Sequence, residues 1–264
     1  MRRSVLIALP LFVFCLLLCS CTNVQKQYDK GNYKTVIDTV AKKTSPSQND
    51  LLLQTKSYVN LGDENKALES ALLYLLAYDG KDEQGRAYAV KVFLDTDTSD
   101  RVAVLVLDRN DGIDARIALF KAYSNLGDEE NARQILDLLS SEMVFSDYMT
   151  LLLENPVSDD YILEVFTAWY ANMEETDREP FLSYLARFSS EISITETVAW
   201  KFLSLTDVLM ADEFYNSDDK RLSAVLKIKG NILESLFDKV NARIYWSQAY
   251  NLNPDDEELR NKLQ

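Results

Sequence analysis

Among the 264 residues there is no histidine. Its absence removes the usual general base at neutral pH, the commonest zinc ligand and the centre of every Ser-His-Asp or Cys-His arrangement. Cysteine is confined to Cys15, Cys19 and Cys21, so from Thr22 onward the chain has neither disulfide nor thiolate chemistry. Glycine and proline are scarce, at 7 and 5, while 47% of the residues are apolar. Such a chain can bury a large core and is too hydrophobic to be disordered. Packing alone must hold it together.

Positive charge is also short. The formal net charge is −14, and removing residues 1–20, which carry Arg2 and Arg3 and no acid, takes away two positive charges and leaves −16. A surface of that sign repels phosphate backbones, so nucleic acid is not an expected partner. It attracts basic partner surfaces, with an on-rate that falls as salt rises.

Without histidine, catalysis would have to use carboxylates, such as a glycosidase pair acting on peptidoglycan. Asp159-Asp160, Glu174-Glu175 and Asp218-Asp219 are available, but each stands where a helix is expected to begin, and capping accounts for it. Asp95 to Asp100 has the opening of a calcium loop, yet Asp100 and Val106 occupy the places of its glycine and glutamate. Capping by Ser99 or Asp97 explains these residues instead. The expectation is a protein that is not an enzyme and holds no cofactor or metal.

The first residues give an address. Two arginines precede an apolar run from Val5 to Leu18, which is shorter than the roughly 20 residues of a membrane-spanning helix. This is the layout of an export signal, and its end, Leu18-Cys19-Ser20-Cys21, resembles a bacterial lipobox. The resemblance implies that residues 1–20 are removed and that Cys21 becomes the acylated first residue, anchoring the protein in the bilayer. Alternatives are a plain secretory signal cut after Ser20 and an uncleaved anchor. Several acyl chains hold a protein durably where one binds marginally. The expected place is the bacterial inner or outer membrane, on the periplasmic face.

Beyond it lie two similar stretches, Tyr58 to Tyr74 (YVNLGDENKALESALLY) and Tyr123 to Leu139 (YSNLGDEENARQILDLL). In both, a tyrosine stands four residues before the glycine (Gly62, Gly127) and an alanine five after it (Ala67, Ala132). Near the end Ala242 again stands five residues after a turn position, there Phe237 in place of glycine, with Gly230, Ala249 and Pro254 around it at the intervals of a known repeat consensus. A first copy surrounds Gly31 and Tyr33. Gly62 and Gly127 lie 65 residues apart, so a degenerate copy is expected between them, from Arg86–Leu94 and Asp100–Leu107.

These intervals resemble the tetratricopeptide repeat, a helix–turn–helix unit of about 34 residues. The resemblance implies an all-α fold, a solenoid of antiparallel helix pairs wound into a right-handed superhelix. Repeats are expected over 21–145, degenerate helices over 146–222, and a last repeat with a capping helix over 223–264. It also implies a groove lined by the first helices of successive repeats, which takes an extended or helical peptide. The inward-facing candidates are Leu52, Lys56 and Asn60; Ile117, Lys121 and Asn125; and Lys227, Asn231 and Glu234. Lysine and asparagine four apart recur as parallel presentation to one elongated ligand demands. In one branch of the family such a pair clamps a C-terminal carboxylate, and Lys227 and Asn231 match it.

The function expected is a lipid-anchored scaffold that assembles other envelope proteins or peptides. The alternative is a transporter-associated lipoprotein with an apolar ligand cavity over 146–222, suggested by Trp169, Tyr170, Phe181, Tyr184 and Trp200.

Overall fold

A computed structural model describes residues 23–96, 99–191 and 195–264. Among these the chain is all-helical, with no strand and with neighbouring helices packed in pairs. It divides into two compact units, one ending at Leu126 and the other starting at Gly127.

The first unit contains α1 (Val24–Asp29), α2 (Tyr33–Ala41), α3 (Gln48–Leu61), α4 (Glu64–Leu76), α5 (Glu83–Leu94), α6 (Asp100–Val106) and α7 (Ile113–Leu126). The span between Gly62 and Gly127, where a degenerate copy was expected, carries two helices, α5 and α6. Successive odd-numbered helices touch, α1 with α3, α3 with α5 and α5 with α7, while α4 touches α6. Small residues permit the close pairing. Ala67 and Ala71 on α4 are fully buried, as are Thr55 and Ser57 on α3, whose hydroxyls turn back to the carbonyls of Leu51 and Leu53. The start of α3 is fixed by reciprocal bonds between Ser47 and Asp50. Burial alone would push the Asp50 carboxyl up, but the ammonium of Lys43 at 2.6 Å and the bonds from Ser47 bring it below the usual range.

The second unit contains α8 (Glu129–Ser140), α9 (Phe145–Leu153), α10 (Asp159–Asn172), a single 3-10 turn (Glu175–Asp177), α11 (Arg178–Glu191), α12 (Glu196–Ala211), α13 (Glu213–Asn216), α14 (Asp219–Ser235), α15 (Lys239–Leu252) and α16 (Glu257–Leu263). Its middle is held by a run of rings. Trp169 meets Phe145 at 5.0 Å between centroids, Phe145 meets Phe181, and Phe181, Phe166, Phe188 and Phe202 follow at 5.5 Å steps. Beside them Asp212 receives the Tyr170 hydroxyl at 2.7 Å, the Arg178 guanidinium at 3.0 Å and the Phe214 amide at 2.9 Å. Burial pushes the Asp212 carboxyl up, and these three partners outweigh it and hold the group below the usual range. Burial, then that carboxylate, pushes the Tyr170 hydroxyl up to about 12.

The repeated motif is most visible in its turns. At Gly62 the backbone enters the left-handed region, with φ 73°. The Asp63 amide bonds the Tyr58 carbonyl at 3.0 Å, and the Asp63 side chain caps the next helix at Lys66. The same closure follows α14: Asp238 N bonds Leu233 O at 2.9 Å and the Asp238 side chain caps at Asn241. There the left-handed residue is Phe237, with φ 62°. A side chain in that conformation costs about 1–2 kcal/mol relative to glycine. The last copy thus keeps the turn and gives up the residue best suited to it.

Gly230 serves a different purpose. A Cβ built there would stand 2.4 Å from the Trp246 ring, so the missing side chain is what lets α15 lie close on α14.

Candidate functional site

Lys56, Lys91 and Lys121 are each the ninth residue of their helix, on α3, α5 and α7 respectively. Those three helices touch in succession, Lys91 and Lys121 line one cleft, and Lys56 reaches Tyr88 on α5 beside them. Lys91 and Lys121 are exposed and Lys56 is half-buried. Among the described residues, none of the three has a carboxylate within 4.0 Å. In a chain with 42 acidic residues, these three lysines are left without an ion-pair partner.

Around them the row is aromatic and apolar. The Lys56 ammonium lies 5.2 Å from the centroid of Tyr88, on α5. Asn60 donates to the Lys56 carbonyl at 2.7 Å and reaches the Tyr28 hydroxyl at 3.5 Å. Burial, and then its neighbour Tyr28, raises the Tyr88 hydroxyl above its ordinary value. Between α5 and α7 opens a cleft of about 620 Å³, floored by Ala87, Val90, Ile117 and Ala118 and edged by Lys91 and Lys121. Small alanines leave the space. Asp95, Asp111 and Asp114 line it as well.

Asp111 is held firmly. Arg86 on α5 grips Asp111, with Nη2 to Oδ2 at 2.7 Å, and donates to the Val106 carbonyl at 3.1 Å. Asp111 also accepts the Asp108 amide at 2.7 Å, which ties down the loop leading into α7. The Asp111 carboxylate is the first cause of a raised Arg86, so the guanidinium keeps its charge. Arg86 and Asp111 are thus engaged in structure, while Lys91 and Lys121 have no ion-pair partner among the described residues.

The predicted groove residues divide sharply. Lys56, Asn60, Ile117, Lys121 and Asn125 all lie at least partly exposed on the first-helix side. Leu52 does not: it is 5% exposed, because α3 has α1, α2, α4 and α5 packed around it, so it belongs to the core and not to a binding surface. Lys227, Asn231 and Glu234 are occupied by the end of the chain. The Lys227 ammonium pairs with Asp256 at 2.9 Å and Glu258 at 2.6 Å, Trp246 donates to Asn231 at 3.1 Å, and Lys262 pairs with Glu234 at 3.0 Å. A carboxylate does sit on Lys227, but it comes from this chain.

Lys91 was invisible to the lysine–asparagine pattern because Asp95 stands four residues on. Counting from the helix start reveals it.

The aromatic residues suggested as a cavity lining in 146–222 pack on one another. Phe181 is buried and touches Phe145, Phe166 and Tyr170, while Tyr184 lies on Phe145 and bonds Thr150. Trp200 points the other way, 59% exposed. A depression of about 330 Å³ remains at Tyr148, Val165 and Trp169.

Cys21 and Asp97 lie outside the described residues. Among the described residues, no group of three or more His, Cys, Asp or Glu is arranged to hold a metal, and no helix is long and apolar enough to cross a membrane. No protein-family model matches the chain, and no curated protein is similar to it.

Proposed function

We propose that this protein is a lipid-anchored, non-enzymatic repeat scaffold of the bacterial envelope. Its first unit binds an extended peptide carrying acidic side chains. The observation that carries this reading is the row Lys56, Lys91 and Lys121, in one register on three adjoining helices and without carboxylate partners. The recurring turns at Gly62 and Phe237 support a tetratricopeptide-like solenoid with a right-handed wind. The lipobox-like end at Cys21 supports the anchor.

Each exposed lysine–carboxylate pair contributes about 0.2–1 kcal/mol, so three pairs account for at most a few kcal/mol, screened further by salt. The rest of the affinity must come from apolar side chains of the peptide entering the cleft over Ala87, Ile117 and Ala118. Charge then sets the register and the apolar floor sets the strength. The net −16 left once residues 1–20 are removed attracts basic surfaces from a distance, and the local lysine row selects an acidic strand once they meet.

Two experiments in intact cells test this. Cys21→Ser is expected to move the protein from the membrane to the soluble fraction. A photo-crosslinking side chain at position 91 or 121 is expected to attach an acidic segment of an envelope protein, while one at position 227 attaches none. Retention of Cys21→Ser in the membrane would remove the anchor, and equal crosslinking at all three positions would remove the groove.

A further inference from the structure

The turn between α14 and α15 uses a residue type that its geometry disfavours. Gly31, Gly62 and Gly127 take the left-handed conformation elsewhere, and Phe237 takes it here. The ring gains nothing from the fold in return, since Phe237 is 87% exposed. Strain at an exposed aromatic directs attention to what the ring meets outside the chain.

The residues that follow continue the same surface. Val240 and Ile244, 74% and 47% exposed, follow on α15 four residues apart, the spacing of one helical stripe. Lys239, Arg243, Ser247, Gln248 and Asn251 complete an open depression of about 570 Å³. No acidic residue lines it, although the chain has 42. Among the described residues Lys239 has no carboxylate within 4.0 Å, and Arg243 spends one donor on the Leu263 carbonyl at 2.8 Å. The adjacent Asp238 is engaged as a cap, accepting from the Asn241 amide at 3.1 Å and from its side chain at 2.7 Å, and does not line the depression. What is presented outward is an aromatic tip, an aliphatic stripe and two cations.

We infer that this face of the second unit rests on an anionic lipid surface, with Phe237, Val240 and Ile244 entering the acyl boundary and Lys239 and Arg243 meeting headgroup phosphates. A leaflet offers apolar matter and negative charge together, which is the pairing this face complements. The inference is independent of the peptide groove and of Cys21, because it uses only α15 and the turn before it.

The test is hydrogen exchange on the full chain reconstituted in vesicles of phosphatidylcholine alone or with added phosphatidylglycerol. Whatever residues 5–18 contribute is common to both vesicles, so the difference reads the face itself. Amides from 237 to 245 are expected to exchange at least about threefold more slowly with phosphatidylglycerol present. Lys239→Glu and Phe237→Gly are each expected to abolish that slowing, and Phe237→Gly to raise the melting temperature at the same time. A merely structural Phe237 cannot give that split. Equal exchange in the two vesicles overturns the inference, as does slowing that survives Phe237→Gly. Slowing by a glutamate-rich peptide but not by phosphatidylglycerol would overturn it in favour of a protein partner.

Discussion

The same residue at the same helix position has opposite fates in the two units. Lys56, Lys91 and Lys121 in the first unit are ninth residues with no carboxylate beside them, and Lys227, the ninth residue of α14 in the second, is held by Asp256 and Glu258. What differs is the sequence that follows. After α15, Pro254-Asp-Asp-Glu-Glu258 turns back so that its acids reach Lys227 and Leu259 is fully buried. Helix position thus supplies the ammonium, and the neighbouring segment decides whether it is surface or structure.

The comparison assumes that small buried residues pack both units tightly, and the severest test is aimed there. Ala67 on α4 and Ala132 on α8 are both buried, at 2% and 0% exposure. Ala67→Glu and Ala132→Glu are each expected to cost at least about 3 kcal/mol, because a carboxylate without a partner would enter dry packing. Urea unfolding measures this. A mild effect at either site would break the equivalence.

Lysine substitutions come next in size. Lys227→Ala leaves Asp256 without its partner and is expected to destabilise by about 1–3 kcal/mol. Lys121→Ala is expected to stay within about 0.5 kcal/mol. If the two changes cost the same, the distinction between free and occupied lysines fails.

Extremes of pH test the capture of Lys227 directly. Burial pushes the Asp256 carboxyl up, but Lys227 and the Leu259 amide take it below the usual range. A carboxylate lowered by folding contributes stability that is present above its unfolded pKa of about 3.9 and is lost as pH falls through the folded value. Lys227 has the opposite sense: burial lowers it, yet Glu258 and Asp256 raise it overall. Its contribution is present below about 10.4 and is lost as pH rises through the folded value above that. Amides of α16 are therefore expected to lose exchange protection below about pH 4 and above about pH 10.4, with full protection between. Protection that is flat across both ends would contradict the role given to this ion pair.

The smallest effect sharpens the comparison of turns. Phe237→Gly is expected to stabilise the second unit by about 1 kcal/mol, and Gly62→Ala to destabilise the first by a similar amount. Thermal melts of the two variants should shift in opposite directions.

These contrasts also show how far a sequence can be read. The turns were legible because Gly62 and Gly127 mark a backbone state few residues tolerate, and Phe237 could be placed by the interval alone. The lysine row was half legible. Lys56 and Lys121 have asparagine four residues on, while Lys91 has Asp95 and emerges only once the start of α5 is fixed. Leu52 was misread because periodicity locates a helix face but not how many neighbours press on it. The capture of Lys227 joins residues 29 apart and depends on the path after Pro254. Nor does a helical stripe announce which ring meets which, so the chain from Trp169 to Phe202 had to be seen in three dimensions.

The most direct measurement is a fluorescence-anisotropy titration of an extended peptide alternating glutamate with leucine against the full chain and against its Lys56→Ala/Lys91→Ala/Lys121→Ala variant. The account predicts saturable binding that weakens with salt and is at least about tenfold weaker in the variant, at an unchanged melting temperature. Equal affinity in the two proteins, or no binding by either, would contradict it.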